Sequence, residues 1–104
     1  MTDKRILLST AGDKQEAKDI AWALLERKQA ACVNVCPIDS VYRWKGEIEE
    51  NPEFLLIIKT TADKFEAATA TVKELNTYKL PECVQLQVET GSAEYLAWIS
   101  DSLK

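Results

Sequence analysis

The stretch that decides the fold is Phe54-Leu55-Leu56-Ile57-Ile58-Lys59, which carries the strongest strand signal in the chain. Its first five residues are all apolar, a pattern typical of a strand at the centre of a sheet. Because side chains alternate along a strand, Phe54 and every second residue after it face one side, while Leu55 and Ile57 face the other. Both faces of this strand therefore need cover.

Apolar periodicity and turn signals on either side of this strand predict further strands and helices. The first helix has a clear start, because Asp13 is a suitable N-cap and Glu16, three residues on, completes a capping box. The predicted elements are a strand at 5–10, a helix from 13 to about 29, a strand at 31–36 closed by Pro37, an extended stretch at 41–48, a turn at Glu50-Asn51-Pro52, the central strand at 54–59, a helix from near 61 to near 76, a strand at 83–89 and a short helix opened by Ser92.

This order, βαββαβ followed by one more helix, predicts an α+β fold, a ferredoxin-like two-layer sandwich. Its two main helices cover only one face of the sheet, so Leu55, Ile57 and Leu7 or Leu8 need another partner. Burying such a side chain fully contributes roughly 1.5–3 kcal/mol. We therefore expect self-association through the open face, with the short last helix as the alternative cover for part of it.

Length and composition describe one ordinary globular domain spanning residues 1–104, with 46% hydrophobic and 29% charged residues. Thirteen Lys and Arg against seventeen Asp and Glu give a net charge of −4, and no basic run is present. We expect no nucleic-acid partner. The apolar stretch near the amino terminus is only three residues long, so we expect neither a signal peptide nor a membrane span, and a cytoplasmic location.

The residue types that are missing exclude several enzyme classes. The chain has no histidine, so it contains no Ser-His-Asp or Cys-His arrangement and no H-E-x-x-H zinc site. Its three glycines, Gly12, Gly46 and Gly91, are too far apart for a P-loop or a dinucleotide-binding turn. We expect a protein that is not an enzyme.

The segment from Ser40 to Glu49 is the richest in binding chemistry. Strand alternation places Tyr42 and Trp44 on one side and Arg43 and Lys45 on the other. The two aromatic side chains form either the wall of a ligand cleft or an oligomer contact, since Trp and Tyr are enriched at interfaces.

Two groups of charged residues offer further chemistry. Four carboxylates near the hairpin either bind a divalent cation through oxygen ligands or form a solvated acidic turn; they belong to Glu47, Glu49, Glu50 and Glu53. Lys59 ends the central strand and Glu82 precedes the last one, so they form either an acid-base pair or a structural ion pair. The acid-base reading is the basis of an alternative hypothesis, a small enzyme.

Three cysteines, Cys32, Cys36 and Cys83, are candidate ligands for a soft metal such as copper or zinc, or buried thiols of the core. Cys32 and Cys36 lie on one strand about 13 Å apart, at roughly 3.3 Å per residue, which is too far for one ion or one intrachain disulfide. An odd number of cysteines favours reduced thiols.

Several short motifs, spread from the first strand to the last helix, resemble the CutA family of divalent-cation tolerance proteins. They are Ala31-Cys32-Val33-Asn34, the pattern formed by Ser40, Tyr42, Trp44, Gly46, Ile48 and Glu49, Lys59-Thr60-Thr61, Tyr78 with Pro81-Glu82, and Tyr95-Leu96-Ala97-Trp98-Ile99. The resemblance implies a ferredoxin-like homotrimer, packed like the PII signalling proteins, that takes part in the tolerance of copper and other divalent cations.

The resemblance also implies a small-ligand cleft between subunits and a metal ligand at Cys32. The cleft residues implied are Tyr42, Trp44, Lys59, Tyr78, Glu82 and Trp98. The chain departs from the family where Asn76-Thr77-Tyr78 replaces His-Pro-Tyr and where Ser9 replaces a cysteine, so we expect weak or absent binding of copper(II) or another divalent cation. The alternative function is a PII-like trimeric signalling scaffold that binds a small effector or a partner protein.

Overall fold

The computed structural model describes residues 2–104 and has the predicted order of elements. These are β1 (Lys4–Ala11), α1 (Lys14–Glu26), β2 (Cys32–Trp44), β3 (Glu47–Thr61), a 3₁₀ turn (Ala62–Lys64), α2 (Phe65–Leu75), β4 (Val84–Gln87) and α3 (Ala93–Ser102). Within residues 2–104 the four strands form one antiparallel sheet in the order β2-β3-β1-β4. The α+β, ferredoxin-like prediction is confirmed, with the central strand inside the sheet.

The core lies between the sheet and the helices α1 and α2. Leu56 and Ile58 of β3 are fully buried there, and Leu7 of β1 packs with them. Leu55 and Ile57, on the opposite face of β3, are only half-buried. The predicted division of this strand into two apolar faces is confirmed.

Local capping chemistry starts α1, whereas α2 and α3 begin without a side-chain cap hydrogen bond, although Ser92 does precede α3 as predicted. Asp13 accepts a hydrogen bond from the Glu16 backbone N–H at 2.8 Å, so α1 begins as predicted. It ends at Glu26, before the predicted end near residue 29, because the chain turns at Lys28 with a φ of 55°. A 3₁₀ turn precedes α2, which begins at Phe65 and ends next to Asn76.

The turn predicted at Glu50-Asn51-Pro52 is wrong, and so is the end of the second strand at Pro37. The chain reverses at Lys45-Gly46, where φ is 52° and 82°, as a two-residue hairpin turn requires. Pro37 and Pro52 both remain inside the β2–β3 ladder. β2 is an edge strand, and beyond the end of β1 one side of β3 is also unpaired, so neither proline removes a hydrogen bond that the sheet needs.

The hairpin arm, residues 38–53, is the part of β2 and β3 that extends past the end of β1. The predicted extended stretch at 41–48 is therefore divided between two strands by the turn. The arm elongates the molecule, which measures 44 × 26 × 21 Å. The arm lies outside the two-layer core, and its residues 41–52 are exposed.

The open face of the sheet is the side of β1, β3 and β4 that faces away from α1 and α2. Val84 and Leu86 pair with Leu8 and Ile6 on this face and remain 47% and 46% exposed. Their strand, β4, spans only Val84–Gln87, shorter than the predicted 83–89. Because α3 packs against β3, it covers one end of the face and leaves the rest open.

We expect Gly46→Ala to lower the free energy of unfolding by about 1 kcal/mol, because a Cβ at a positive φ is strained. Steric contact does not contribute, since the position is open. Lys45→Gly is the matched control, and it should be neutral or stabilising because it removes the same strain. Urea denaturation measures both changes. An unchanged midpoint for Gly46→Ala would place the turn elsewhere.

Candidate functional site

A cleft of about 770 Å³ lies between the hairpin arm and the loop of residues 76–83 that follows α2. This volume is typical of a small-molecule site. Four of the six predicted cleft residues line it: Tyr42, Trp44, Tyr78 and Glu82. Glu53, from the base of the hairpin arm, joins them.

The loop beside the cleft is held by hydrogen bonds of its own polar residues. Asn76 Nδ2 donates to the carbonyl oxygen of Thr10 at 2.8 Å, and Asn76 Oδ1 accepts from the Tyr78 backbone N–H at 2.9 Å. Thr77 Oγ1 donates to Glu16 Oε1 at 2.8 Å. Asn76, where the family resemblance leads us to expect histidine, therefore positions Tyr78 in this chain.

The floor of the cleft is formed by Glu53 and Tyr78, both half-buried. The Tyr78 hydroxyl donates to Glu53 Oε2 at 2.6 Å. Burial, followed by the hydrogen bond and the negative charge of Glu53, raises the pKa of Tyr78 well above its ordinary value. Tyr78 therefore remains a protonated donor across the physiological range, and Glu53 is held in one position.

The four glutamates predicted to lie together near the hairpin occupy two different environments. Glu47, Glu49 and Glu50 are exposed along the hairpin arm, as a solvated acidic segment would be. Glu53 differs, because it lies on the cleft floor and is hydrogen-bonded. Sequence reasoning missed this role, although Glu53 shares its strand face with Leu55 and Ile57 by simple alternation.

Tyr42 and Trp44 form the aromatic wall of the cleft, and they lie on one side of β2 as predicted. Asn51 Nδ2 donates to the Tyr42 hydroxyl at 2.8 Å and fixes that ring across the ladder. The predicted position of Lys45 opposite Trp44 is wrong. Its Nζ lies 5.9 Å from the centroid of the Trp44 ring, because Lys45 belongs to the turn and not to the strand.

Lys59 and Trp98 form a second group at α3, apart from the cleft. Lys59 Nζ donates to the Tyr95 hydroxyl at 3.2 Å, which raises the pKa of Lys59. The rings of Tyr95 and Trp98 are in contact, with centroids 5.4 Å apart. Within one chain the six predicted residues therefore occupy two places.

The predicted pair of Lys59 and Glu82 does not form. Lys59 lies beside Ile6 of β1, whereas Glu82 precedes β4 near the level of Thr10. The separation along β1 is four residues, about 13 Å at roughly 3.3 Å per residue. Within one chain the two side chains are therefore too far apart to act as the acid-base pair of the enzyme hypothesis.

The three cysteines are dispersed over the fold. All three lie in the described part of the chain and none forms a disulfide there. Cys32 pairs with Lys59 and Cys36 with Leu55, so both face the open side of the sheet. Cys83 packs against the core, where burial raises the pKa of its thiol. Ser9 lies on the core face, opposite to that of Cys32, so it shares no site with Cys32.

A metal site is not assembled within a single chain. Residues 2–104 contain no group of three or more His, Cys, Asp or Glu side chains that could hold a metal ion. Cys32, the predicted metal ligand, therefore has no set of partner ligands in its own subunit.

None of the helices in residues 2–104 is long and apolar enough to cross a membrane.

Comparison with known proteins gives matches over nearly the whole chain. The family of CutA1 divalent ion tolerance proteins matches residues 5–102. The divalent-cation tolerance protein CutA of Thermus thermophilus is 41% identical over 100 residues, which cover 95% of this chain and 97% of that protein. A CutA homolog of Xenopus laevis is 50% identical over 86 residues. That match covers 82% of this chain but only 57% of the frog protein's length.

Solved structures agree in fold. The periplasmic divalent cation tolerance protein CutA from Archaeoglobus fulgidus has a TM-score of 0.95 at 39% identity, covering 97% of this chain and 99% of that one. CutA from Xylella fastidiosa has a TM-score of 0.96 at 38% identity, covering 99% and 100%. Sequence and architecture therefore point to the same group of proteins.

We expect the free energy of unfolding to fall above about pH 10, where an unfolded tyrosine ionises and folded Tyr78 does not. The contribution is fully present below that pH, because both states then hold the proton. Tyr78→Phe should cost about 1 kcal/mol at pH 7 and should flatten the decline between pH 10 and 11. Urea denaturation across pH 7–11 checks this. Parallel curves for the two proteins would assign the decline to another group.

Proposed function

Because the chain belongs to the CutA1 divalent ion tolerance family, we propose that it takes part in the tolerance of divalent cations such as copper. The observation that carries this proposal is the match across residues 5–102, together with relatives named divalent-cation tolerance proteins at 41% identity. The signalling-scaffold alternative is not favoured, since neither the family nor these relatives bear such a name.

The chain works as a homotrimer with PII-like packing in this proposal. The supporting observation is the open face, where the apolar side chains of Val84 and Leu86 are about half exposed next to Leu8 and Ile6. Apolar surface contributes roughly 25 cal/mol for each Å² removed from water, so covering this face with further copies is favourable. β2 is a long edge strand whose outer side is free to pair with another chain.

The cleft binds a small ligand at subunit boundaries, with Tyr42, Trp44, Tyr78 and Glu82 around it. Lys59 and Trp98 remain part of this proposal as contributions from a neighbouring subunit, because within one chain they lie at α3. The chain acts as one domain and is not an enzyme. The absence of histidine supports this, because histidine is the commonest general base.

Direct binding of divalent metal ions is weak in this proposal. The chain has no histidine, and Cys32 faces the open side of the sheet beside Lys59. A lone thiol is a poor site for copper(II) compared with a set of nitrogen and sulfur ligands. The location is the cytoplasm in this proposal, because an odd number of cysteines that lie too far apart to pair suits a reducing compartment.

Light scattering should report a particle of three times the 11.7 kDa chain mass. Leu86→Glu should reduce the mass towards that of one chain, because a carboxylate on the open face resists burial. Trp22→Glu is the matched control: Trp22 is 67% exposed on the outer side of α1, and the particle should keep its size. A folded, cooperative wild-type monomer at micromolar concentration would contradict the trimer.

Calorimetric titration of the reduced protein with copper(II) and with zinc should show heat only at millimolar metal. The physical reason is the lack of a preassembled ligand set in residues 2–104. Cys32→Ser serves as the comparison, and it should leave the weak isotherm unchanged. An isotherm of one metal per subunit in the micromolar range, lost in Cys32→Ser, would establish a dedicated site and overturn this part of the proposal.

A further inference from the structure

The deepest charged group of the cleft is an anion. Glu53 is half-buried on the floor, and its Oε2 is fixed by the Tyr78 hydroxyl at 2.6 Å. In residues 2–104 Glu53 forms no ion pair with a basic side chain. Its Oε1 atom is left to accept a hydrogen bond from whatever occupies the cleft. The floor therefore favours a positively charged donor over a carboxylate or a phosphate.

The basic residues of the cleft do not reverse this preference. The ammonium of Lys59, which the proposed cleft takes from a neighbouring subunit, already donates to the Tyr95 hydroxyl of its own chain at 3.2 Å. Arg43 and Lys79 line the cleft, but both are exposed. They lie on the rim with the carboxylates of Asp39 and Glu82, which are also exposed. Exposed charges are screened by solvent and salt, so the rim is close to balanced and the half-buried floor decides the sign.

The aromatic wall fits an organic cation better than a bare metal ion. Tyr42 and Trp44 present rings along one side of β2, and such rings supply apolar contact to the hydrocarbon part of an organic ligand. A metal ion needs converging ligands, and the described part of the chain has no such group of three.

We propose that the cleft binds a small organic ammonium compound, with the ammonium group at Glu53 and the hydrocarbon part against Tyr42 and Trp44. This inference rests on the proposed ligand cleft and names the chemical class of its ligand. Three features each make one contribution: Glu53 supplies the charge, Tyr78 holds Glu53 in place, and the aromatic wall supplies apolar contact.

The test compares three probes of similar size that carry a positive charge, no charge and a negative charge. They are 2-phenylethylamine, which is a cation at pH 7, the neutral 2-phenylethanol, and the anion 3-phenylpropanoate. Amide chemical shifts of the full, assembled protein, followed by NMR during titration, report both the affinity and the place of binding. We expect the ammonium probe to bind at least tenfold tighter than either of the others, with shifts at Glu53 and Tyr78.

Two cleft variants separate the charge from the wall. Glu53→Gln keeps the size of the side chain and an acceptor for the Tyr78 hydroxyl, and it should reduce the preference for the ammonium probe to less than threefold. Trp44→Leu should weaken all three probes by a similar factor. Glu66→Gln is the matched control, because Glu66 is an exposed carboxylate of α2 away from the cleft, and it should retain the full preference.

Each other outcome overturns the inference in a distinguishable way. If 3-phenylpropanoate binds at Glu53 and Tyr78 as tightly as the ammonium probe, the ligand class is wrong while the proposed cleft stands. If the ammonium probe binds elsewhere, or keeps its tenfold preference in Glu53→Gln, the role of Glu53 is wrong. If none of the three probes shifts these residues, the ammonium site fails, and the family assignment and the trimer are tested separately by light scattering.

Discussion

The structure depends on the fact that β3 is apolar on both faces while α1 and α2 cover only one. Leu56 and Ile58 are sealed in the core, and Leu55 and Ile57 on the opposite face remain half-buried. A two-layer sandwich of this length has no further element for that face, because α3 covers only the end near Lys59. The same strand therefore organises the fold of one chain and creates the apolar surface that the proposed trimer would cover.

Most of the fold was predictable because, in most helices and strands, the local sequence pattern favours the same structure that the whole fold requires. The run of five apolar residues predicted that β3 lies inside the sheet, and Asp13 with Glu16 predicted the start of α1. The turn was not predictable in the same way. Pro52 is a strong turn signal by itself, but beyond the end of β1 one side of β3 has no partner, and a proline costs the ladder nothing there. Sequence rules contain no information on where a neighbouring strand stops.

The residues of the site were easier to predict than their grouping. Tyr42, Trp44, Tyr78 and Glu82 do meet in one cleft, whereas Lys59 lies at α3, because strand register sets where along the sheet each side chain stands. Glu53 was hidden among neighbouring glutamates. Residue type alone cannot separate an exposed carboxylate from one that lies beneath a tyrosine hydroxyl. That distinction comes from the loop of residues 76–83, which Asn76 ties back to β1.

The cleft and the open face are parts of one surface. Glu53, Leu55, Ile57 and Lys59 alternate along β3 and so share a face, which runs from the cleft floor to α3. A ligand at Glu53 would therefore lie next to the side chains that the proposed trimer covers. By linkage, any difference in ligand affinity between the free and the assembled chain changes the assembly constant by the same factor for each ligand bound. The position of the turn at Lys45-Gly46 fixes the register of the hairpin arm, and a slip of one residue would move the aromatic wall to the other side of the sheet.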